Sequence, residues 1–303
     1  MRTASAFGTA QQETGQTINI PSAGVGSVPP ASSPAGVGHS VSVSAGWRRS
    51  LAWVLSGMLR RPNAPQQLEV LEGYARWAAT YEQDMEGHPL VLAESGAIRA
   101  LLPPCQGIVA LDAACGTGRY ARLLAGEGAR QVIGLDQSPA MLARARELAA
   151  SGSGAGVLFK QGSMLDLPLP DHSCDLAIVA LALAHLETAH LGRAFTEFSR
   201  VLRPGGILLM SEMHPFGALT GGRCRFEVSN GNRCQIYHIQ THTHLHEDYI
   251  SAASAAGLTL EALREPRLIP DLFPAFDRAG MAAFARQFVN FPLALVCRWR
   301  AST

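Results

Sequence analysis

The chain has 303 residues, enough for one large domain or two ordinary ones, and 47% of them are hydrophobic, which allows a substantial core. A formal net charge of +1 gives no long-range field that would draw a polyanion, so we do not expect nucleic acid as a partner. The six cysteines form no Cys-x-x-Cys pair, which favours a reduced, cytoplasmic protein. No apolar run reaches the ~18–20 residues that a membrane span needs.

Residues 1–67 are predicted to form a disordered or weakly ordered extension before a globular domain at 68–303. Residues 1–46 are rich in small and polar residues and cannot bury enough apolar surface to offset the entropy of ordering. Residues 47–61 carry apolar side chains at helical spacing between two arginine pairs, which predicts a short amphipathic helix. This helix either docks on the main domain, the favoured interpretation, or touches a membrane or a partner.

From residue 68 onward, apolar runs alternate with helical patterns. We predict strands at 108–113, 131–135, 157–160, 174–181 and 207–211, and helices at about 119–126, 139–149 and 190–202. A further helix is expected at 247–256 and a closing strand at 288–299. This alternation predicts an α/β fold with a doubly wound parallel sheet and helices on both faces.

In an open α/β sheet, ligands bind outside the carboxyl ends of the strands, so the loops that follow the strands hold the candidate site. The first predicted strand leads into Asp112 and the small residues 113–118, whose glycines let the backbone approach a ligand closely. The Asp112 carboxylate suits a cationic ligand group. The third glycine of a nicotinamide fingerprint does not follow Gly116-x-Gly118, which disfavours pyrophosphate recognition.

Asp136 ends the second predicted strand, about 20 residues after the glycines. An acid at this position can accept hydrogen bonds from both hydroxyls of a ribose. The alternative is that Asp136 or Ser138 caps the next helix. The preceding glycine loop favours the ribose role, which indicates an adenosine ligand without naming it.

Six motifs then follow one another in a consistent order. They are YARWAATY at 74–81, LDAACGTG at 111–118, VIGLD at 132–136, DLP at 166–168, LALAHL at 181–186 and VLRPGG at 201–206. In these motifs the chain resembles class I S-adenosylmethionine-dependent methyltransferases of the UbiE-like, small-molecule type (the methyltransferase type 11 family). The resemblance implies a Rossmann-like, mostly parallel seven-stranded sheet with an antiparallel C-terminal strand pair.

The resemblance also implies S-adenosylmethionine as the co-substrate. Asp112 and the backbone of 114–118 would flank its methionine end, and Asp136 would hold the ribose. Ser163 stands where the family commonly has an acid that contacts adenine, and we prefer Ser163 with the Met164 backbone over Asp166 for that contact. The expected cofactor-binding residues are Tyr81, Asp112, Ala114, Cys115, Gly116, Gly118, Asp136, Gln137, Ser163, Met164 and Ala180.

Methyl transfer from a sulfonium depends mainly on alignment in a dry pocket, and a base is needed only if the acceptor must lose a proton. A histidine suits that role because its ordinary pKa lies near neutrality. His185, after the fourth predicted strand, and His214, after the fifth, are the candidate catalytic residues.

The segment 237–246 carries histidines at 238, 242, 244 and 246, which we expect on one face of a strand lining the acceptor pocket. We predict no metal site there, because residues two apart on one strand are poor joint ligands for a tetrahedral ion. The segment 216–232 is rich in glycine and is predicted to be an irregular lid over the acceptor.

The predicted function is transfer of a methyl group from S-adenosylmethionine to an oxygen, nitrogen or carbon atom of a small molecule. One alternative is a non-catalytic protein that binds S-adenosylmethionine. Another is a nucleotide-cofactor oxidoreductase, which the missing third glycine disfavours. A homodimer is left open.

Overall fold

A computed structural model describes residues 64–152, 156–230 and 233–302. Most of the predicted extension, including the helix at 47–61 and its two alternative contacts, lies outside these described residues. Among the helices that are described, none combines the length and the apolar character needed to cross a bilayer.

Ten strands and ten α-helices make up the described part of the chain. The strands are β1 (Gln66–Leu68), β2 (Val109–Ala113), β3 (Gln131–Asp136), β4 (Val157–Gln161), β5 (Cys174–Ala180), β6 (Leu202–Met213), β7 (Arg225–Asn230), β8 (Arg233–Ile239), β9 (Leu258–Arg264) and β10 (Ala294–Ala301). The helices are α1 (Val70–Trp77), α2 (Tyr81–Met85), α3 (Pro89–Leu101), α4 (Arg119–Gly126), α5 (Pro139–Ala150), α6 (Thr188–Val201), α7 (Pro215–Leu219), α8 (His246–Ala255), α9 (Phe273–Arg278) and α10 (Ala282–Gln287).

The main sheet has seven strands in the order β4-β3-β2-β5-β6-β10-β9. Strands β2 to β6 run parallel, whereas β10 is antiparallel to both β6 and β9. The strand order reverses between β2 and β5, which is where a doubly wound sheet opens a crevice for a ligand. The predicted fold, a doubly wound and mostly parallel sheet with an antiparallel C-terminal pair, is confirmed.

Both faces of this sheet are covered, which explains why its central strands are apolar along their whole length. All five residues of β2 are buried. One face packs on α6 through Phe195 and Phe198, and the other packs on α3 and α4 through Ile98 and Leu124. Between residues 108 and 202, the bounds of each predicted element lie within two residues of the observed ones. The next strand, predicted at 207–211, differs more.

Strand β6 is longer than predicted because it begins directly after α6, at Leu202. Leu202 pairs with Cys174 of β5, and the register then shifts before Ile207 pairs with Leu176. The sequence Arg-Pro-Gly-Gly at 203–206 therefore lies within an irregular part of the strand rather than in a separate turn.

The two predictions for 216–246 are wrong in their secondary structure. Segment 216–232 contains most of α7 and all of β7 rather than an irregular lid. Strand β8 ends at Ile239, so His242 and His244 lie in a loop and His246 begins α8. The chain leaves the strand because the backbone N–H of His242 donates to the carbonyl of Ala184 in the main domain, 2.7 Å away. Only His238 of the four histidines is on a strand.

The closing strand also differs in its bounds from the prediction of 288–299. It begins only at Ala294, because the residues before it connect α10 to this strand, which lies between β6 and β9. The helix predicted at 247–256 is confirmed as α8, which is displaced by one residue at each end.

A second, three-stranded sheet has the order β1-β8-β7 and forms, with α1 and α2, a unit that we call the cap. Its core contains Leu68, Trp77, Phe226 and Ile239. Helix α1 approaches β8 so closely that a Cβ on Gly73 would lie 2.6 Å from the Ile239 side chain. The cap is therefore built from a segment that precedes the main domain in the sequence and from one that is inserted between β6 and β9 of the main sheet.

Candidate functional site

A cavity of about 260 Å³ lies at the carboxyl ends of β2, β3 and β5, where the strand order reverses. The loops after these strands form one side of it, and the cap helices α1 and α2 contribute the other through Tyr74 and Tyr81. The position agrees with the location expected for a ligand in a doubly wound sheet.

The loop after β2 lines the cavity with residues 114–117. Gly118 adopts φ +81°, and a Cβ at this position would lie 2.9 Å from the Phe159 ring. Both the backbone conformation and the lack of space therefore favour glycine. Asp112 is buried, and one of its carboxylate oxygens accepts the Ala121 N–H of α4 at 2.7 Å. Burial raises the pKa of Asp112 to about 7. This carboxylate thus links β2 to the start of α4 and still borders the cavity.

Asp136 joins the loops after β2 and β3. Its two carboxylate oxygens accept the backbone N–H groups of Gly116 and Ser138, each at 2.8 Å. The α5 N-cap is Ser138, whose hydroxyl oxygen accepts the Met141 N–H at 3.4 Å. The capping role therefore belongs to Ser138. The Asp136 carboxylate lines the cavity with unused lone pairs for a ligand.

Arg119, which immediately follows the glycine loop, forms an ion pair beside the cavity. The Arg119 guanidinium lies 3.0 Å from the fully buried Glu94 carboxylate. Glu94 also accepts hydrogen bonds from the hydroxyls of Tyr120 and Ser211, both at 2.6 Å. Since Arg119 is paired with Glu94, Asp112 and Asp136 are the carboxyl groups that remain to face a ligand, and a bound cation would favour their ionised forms.

The loop after β4 does not bring Ser163 into the cavity. Its hydroxyl oxygen accepts the Leu165 N–H at 3.1 Å within a local turn, whereas Gly162 and Met164 line the cavity. Asp166 is exposed and also lies off the cavity wall. Of the predicted adenine contacts, only the one from Met164 has the required position.

His185 lies in a 3₁₀ turn after β5 and lines the cavity. Its Nε2 is 2.8 Å from the Tyr74 hydroxyl, and its Nδ1 is 2.7 Å from the Gln240 carbonyl oxygen. The turn is held by the buried Glu212 of β6, because one oxygen of this carboxylate accepts the N–H groups of Leu183 and Ala184. His185 therefore has a fixed orientation toward the cavity.

His214 lies elsewhere, off the cavity wall and buried at the start of α7. Its Nδ1 accepts the Phe216 N–H at 3.2 Å, so the hydrogen of the neutral ring resides on Nε2, which lies 3.1 Å from the Glu265 carboxylate. Because both ring nitrogens are engaged, neither is available to take a proton from a substrate.

His214, His246 and Glu265 have ligand atoms within 4.8 Å of one another and are the one such group among the described residues. Both histidine Nε2 atoms face the same Glu265 oxygen, at 3.1 and 3.0 Å. A metal ion on the Nε2 of His214 would require a hydrogen on Nδ1, where it would face the Phe216 N–H. This hydrogen bond opposes coordination of a metal.

The cavity unites most of the residues expected to bind the cofactor. The lining includes Tyr81, Asp112, Ala114, Cys115, Gly116, Asp136, Gln137, Met164 and Ala180, together with His185. Gly118, Ser163 and His214 do not line it. Sequence reasoning missed Tyr74 and Arg119 as site residues, although Tyr74 opens the first motif and Arg119 directly follows the glycine loop.

The fold and this cavity define a class: an α/β protein with a ligand cavity at the topological switch point of its sheet. Comparison with known proteins narrows this class. Residues 110–206 match the profile of the methyltransferase domain. The chain is similar to S-adenosylmethionine-dependent methyltransferases over these residues and beyond them.

Named relatives agree with this assignment. The chain is 33% identical over 144 residues to a malonyl-[acyl-carrier protein] O-methyltransferase of Pectobacterium atrosepticum, covering 48% of this chain and 53% of that protein. It is 39% identical over 117 residues to the ubiquinone/menaquinone biosynthesis C-methyltransferase UbiE of Syntrophotalea carbinolica, covering 38% and 48%. The chain thus spans about half the length of the curated relatives it matches.

Among solved structures, an S-adenosylmethionine-dependent methyltransferase from Mesorhizobium loti superposes with a TM-score of 0.52 at 27% identity, covering 69% of this chain and 97% of that one. The likeness extends beyond the matched domain and includes most of the described residues. S-adenosylmethionine is the methyl donor of this family.

Proposed function

We propose that this protein transfers a methyl group from S-adenosylmethionine to a small-molecule acceptor bound between the main domain and the cap. The observation that carries the proposal is the single cavity in which the glycine loop, Asp112 and Asp136 meet the turn that holds His185. The relatives that methylate oxygen and carbon atoms support the reaction class.

The residues of the cavity fit the parts of this co-substrate. Asp112 and the 114–118 backbone would flank the methionine end, where the sulfonium and ammonium charges would favour the ionised forms of Asp112 and Asp136. The rings of Tyr74 and Tyr81 add aromatic faces, which attract a cation. Asp136 would accept both ribose hydroxyls, and the backbone at Met164 would contact the adenine. We do not include Ser163 or Asp166 in the site.

His185 is the proposed proton acceptor for an acceptor molecule that must lose a proton. Burial lowers its pKa, so the ring is neutral near pH 7 and the lone pair of its Nε2 faces the Tyr74 hydroxyl. We do not propose His214 as the base, because its two ring nitrogens form hydrogen bonds with Phe216 and Glu265.

Binding of S-adenosylhomocysteine, measured by titration calorimetry, tests the cofactor assignment. Asp136→Asn should weaken binding about 10- to 100-fold, because hydrogen bonds to a charged group contribute roughly 1.5–3 kcal/mol and a neutral amide makes fewer of them to the ribose. Asp166→Asn is the matched control and should bind like the wild type, since Asp166 is exposed and lies off the cavity.

Binding of NADH in place of S-adenosylhomocysteine would contradict the proposal and favour an oxidoreductase. Binding of S-adenosylhomocysteine without methylation of any acceptor class would favour a non-catalytic binding protein. Methylation is followed with radiolabelled methyl donor.

The cytoplasm remains our proposed compartment, and the absence of a Cys-x-x-Cys pair from the sequence supports it. A homodimer remains a prediction, to be tested by light scattering.

A further inference from the structure

Tyr74 and His185 form a hydrogen-bonded pair across the boundary between the cap and the main domain. Tyr74 belongs to α1, and His185 follows β5, 111 residues further along the chain. The Tyr74 hydroxyl lies 2.8 Å from Nε2 of His185, and the two rings meet edge-on with centroids 5.2 Å apart. Both side chains line the cavity, so the pair faces whatever binds there.

The direction of each hydrogen bond in this pair is fixed by its neighbours. The Gln240 carbonyl oxygen can only accept, so Nδ1 of His185 carries a hydrogen and donates it. In the neutral ring Nε2 then has no hydrogen and accepts one from the Tyr74 hydroxyl. The Cys224 thiol, 3.8 Å from the Tyr74 oxygen, can donate to it weakly, which leaves a lone pair of that oxygen for a bound molecule.

We propose that Tyr74 and His185 together take the proton from an acidic hydroxyl group, that of a phenol or an enol, while this oxygen is methylated. The proposal rests on the proposed function and adds to it the class of acceptor. In this arrangement Tyr74 is the catalytic residue that touches the acceptor, and His185 receives the proton through it.

The step conserves atoms and charge. The acceptor oxygen forms a bond to the methyl carbon as the carbon–sulfur bond breaks, and the bonding pair goes to the sulfur. The acceptor proton moves to the Tyr74 oxygen while the Tyr74 proton moves to Nε2 of His185. The products are a methyl ether, S-adenosylhomocysteine and a protonated imidazole, which later loses its proton to water.

Hydroxyl acceptors need this pair more than other acceptors do. A neutral amine attacks with its lone pair and can lose its proton afterwards, and a carboxylic acid is already ionised near pH 7. A phenol or an enol must lose its proton as the new bond forms. The cavity wall near the pair is apolar, with Val70 and Leu71 beside Tyr74, and Leu181 and Leu186 beside His185, which suits a ring or another apolar skeleton.

Few other titratable groups face the pair. They are Cys224, Tyr81, Asp136 and His242, with Glu212 behind the turn. Glu212 uses its oxygen on the N–H groups of Leu183 and Ala184, and His242 lies in the loop after β8. Burial raises the pKa of Tyr74 and of Cys224, so both stay protonated near pH 7 and Tyr74 keeps the proton that it passes on.

The test uses the full chain, radiolabelled S-adenosylmethionine and a series of para-substituted phenols of increasing acidity, ending with 4-nitrophenol. Tyr74→Phe keeps the ring and removes the hydroxyl. For phenol and 4-methylphenol, which are un-ionised near pH 7, we expect kcat to fall about 10²- to 10⁴-fold with KM nearly unchanged, which is the usual contribution of a positioned proton acceptor. For 4-nitrophenol, about half of which is ionised near pH 7, the loss should shrink to less than about tenfold.

Tyr237→Phe is the matched control, because Tyr237 lies in the same cap and stacks on Phe226 but is absent from the cavity lining. This variant should keep wild-type kinetics. A loss in Tyr74→Phe that is equal for all phenols would show a merely structural role and overturn the proposal. Turnover of none of the phenols by protein that binds S-adenosylhomocysteine, or faster turnover of matched anilines or benzoates, would also overturn it. Failure to bind S-adenosylhomocysteine contradicts the proposed function instead.

Discussion

Four described residues other than glycine have a positive φ, and two of these four positions lie beside the cavity. Ala114 and Leu181 both have φ +54°, the left-handed region that favours glycine, and both line the cavity. Each such residue costs about 1–2 kcal/mol. The neighbours hold these conformations, since the Leu181 N–H donates to the Ser211 carbonyl at 2.8 Å and the Cys115 N–H donates to the Leu135 carbonyl at 2.9 Å. The strain therefore accompanies the loops that shape the site.

Ala114→Gly should raise the free energy of unfolding by about 0.5–1 kcal/mol, because the relief of left-handed strain exceeds the extra entropy that glycine loses on folding. Urea denaturation measures the change. Ala113→Gly is the matched control: Ala113 is buried in β2, so the same change removes a packed methyl group and should lower the free energy by about 1 kcal/mol or more. A destabilised Ala114→Gly protein would contradict the strain argument.

The cap depends on a small aromatic core of its own. The Trp77 ring of α1 stacks on Phe226 of β7 at 5.1 Å, and Phe226 stacks on Tyr237 of β8 at 5.2 Å. These elements hold Tyr74 against His185, so the geometry of the site depends on packing within the cap. The histidine loop 240–246 connects the cap back to the main domain and supplies the Gln240 carbonyl.

Phe226→Ala should remove about 3–5 kcal/mol of packing from the cap core, since Phe226 is buried there. Hydrogen–deuterium exchange should then rise in α1 and in 225–239, while β2 and β5 remain protected. Phe216→Ala, at a ring that is 55% exposed, should leave exchange unchanged in all of these elements. An equal rise in β2 and β5 would show that the cap and the main sheet open as one unit.

Across the whole molecule, buried carboxyl groups make stability depend on pH in an unusual direction. Burial raises the pKa of Asp112 and of Glu212, each to about 7, so the folded protein holds these protons more tightly than the unfolded chain does. Their contribution to stability is full below the ordinary carboxyl pKa and is lost as the pH rises through about 7. Four histidines with lowered pKa, 88, 185, 214 and 244, act in the opposite direction.

Glu212→Gln isolates one of these opposing contributions. One Glu212 oxygen accepts both N–H groups of the turn, and an amide oxygen can do the same without a buried charge. Relative to the wild type, the variant should gain stability on the order of 2–3 kcal/mol as the pH is raised from about 5 to about 8. Urea denaturation at each pH measures this difference. A difference that does not vary with pH would contradict the raised pKa, and Glu147→Gln, at an exposed ion pair, is the constant control.

The sequence by itself determined the alternating elements of the main domain and the loops that approach the cofactor. Apolar runs such as those of β2 and β5 indicate strands that are buried on both faces of a sheet. Glycines and acids directly after such strands can be identified as candidate site residues from the local sequence alone. Because parallel strands end at the same edge, Asp112, Asp136 and the turn with His185 were expected to converge. The structure brings them to one cavity.

Only the tertiary structure decided which distant side chains meet. Tyr74 pairs with His185 across 111 residues, and the Gln240 carbonyl bonds to the other nitrogen of the His185 ring. Local sequence periodicity cannot predict either contact. His214 and His185 both follow strands, yet packing against Glu265 takes His214 off the cavity wall. Local periodicity determines an element and its buried face, whereas the partner of a side chain depends on how the cap and the sheet pack together. The choice of His185 over His214 as the proposed proton acceptor, and the proposed class of acceptor, therefore rest on the structure.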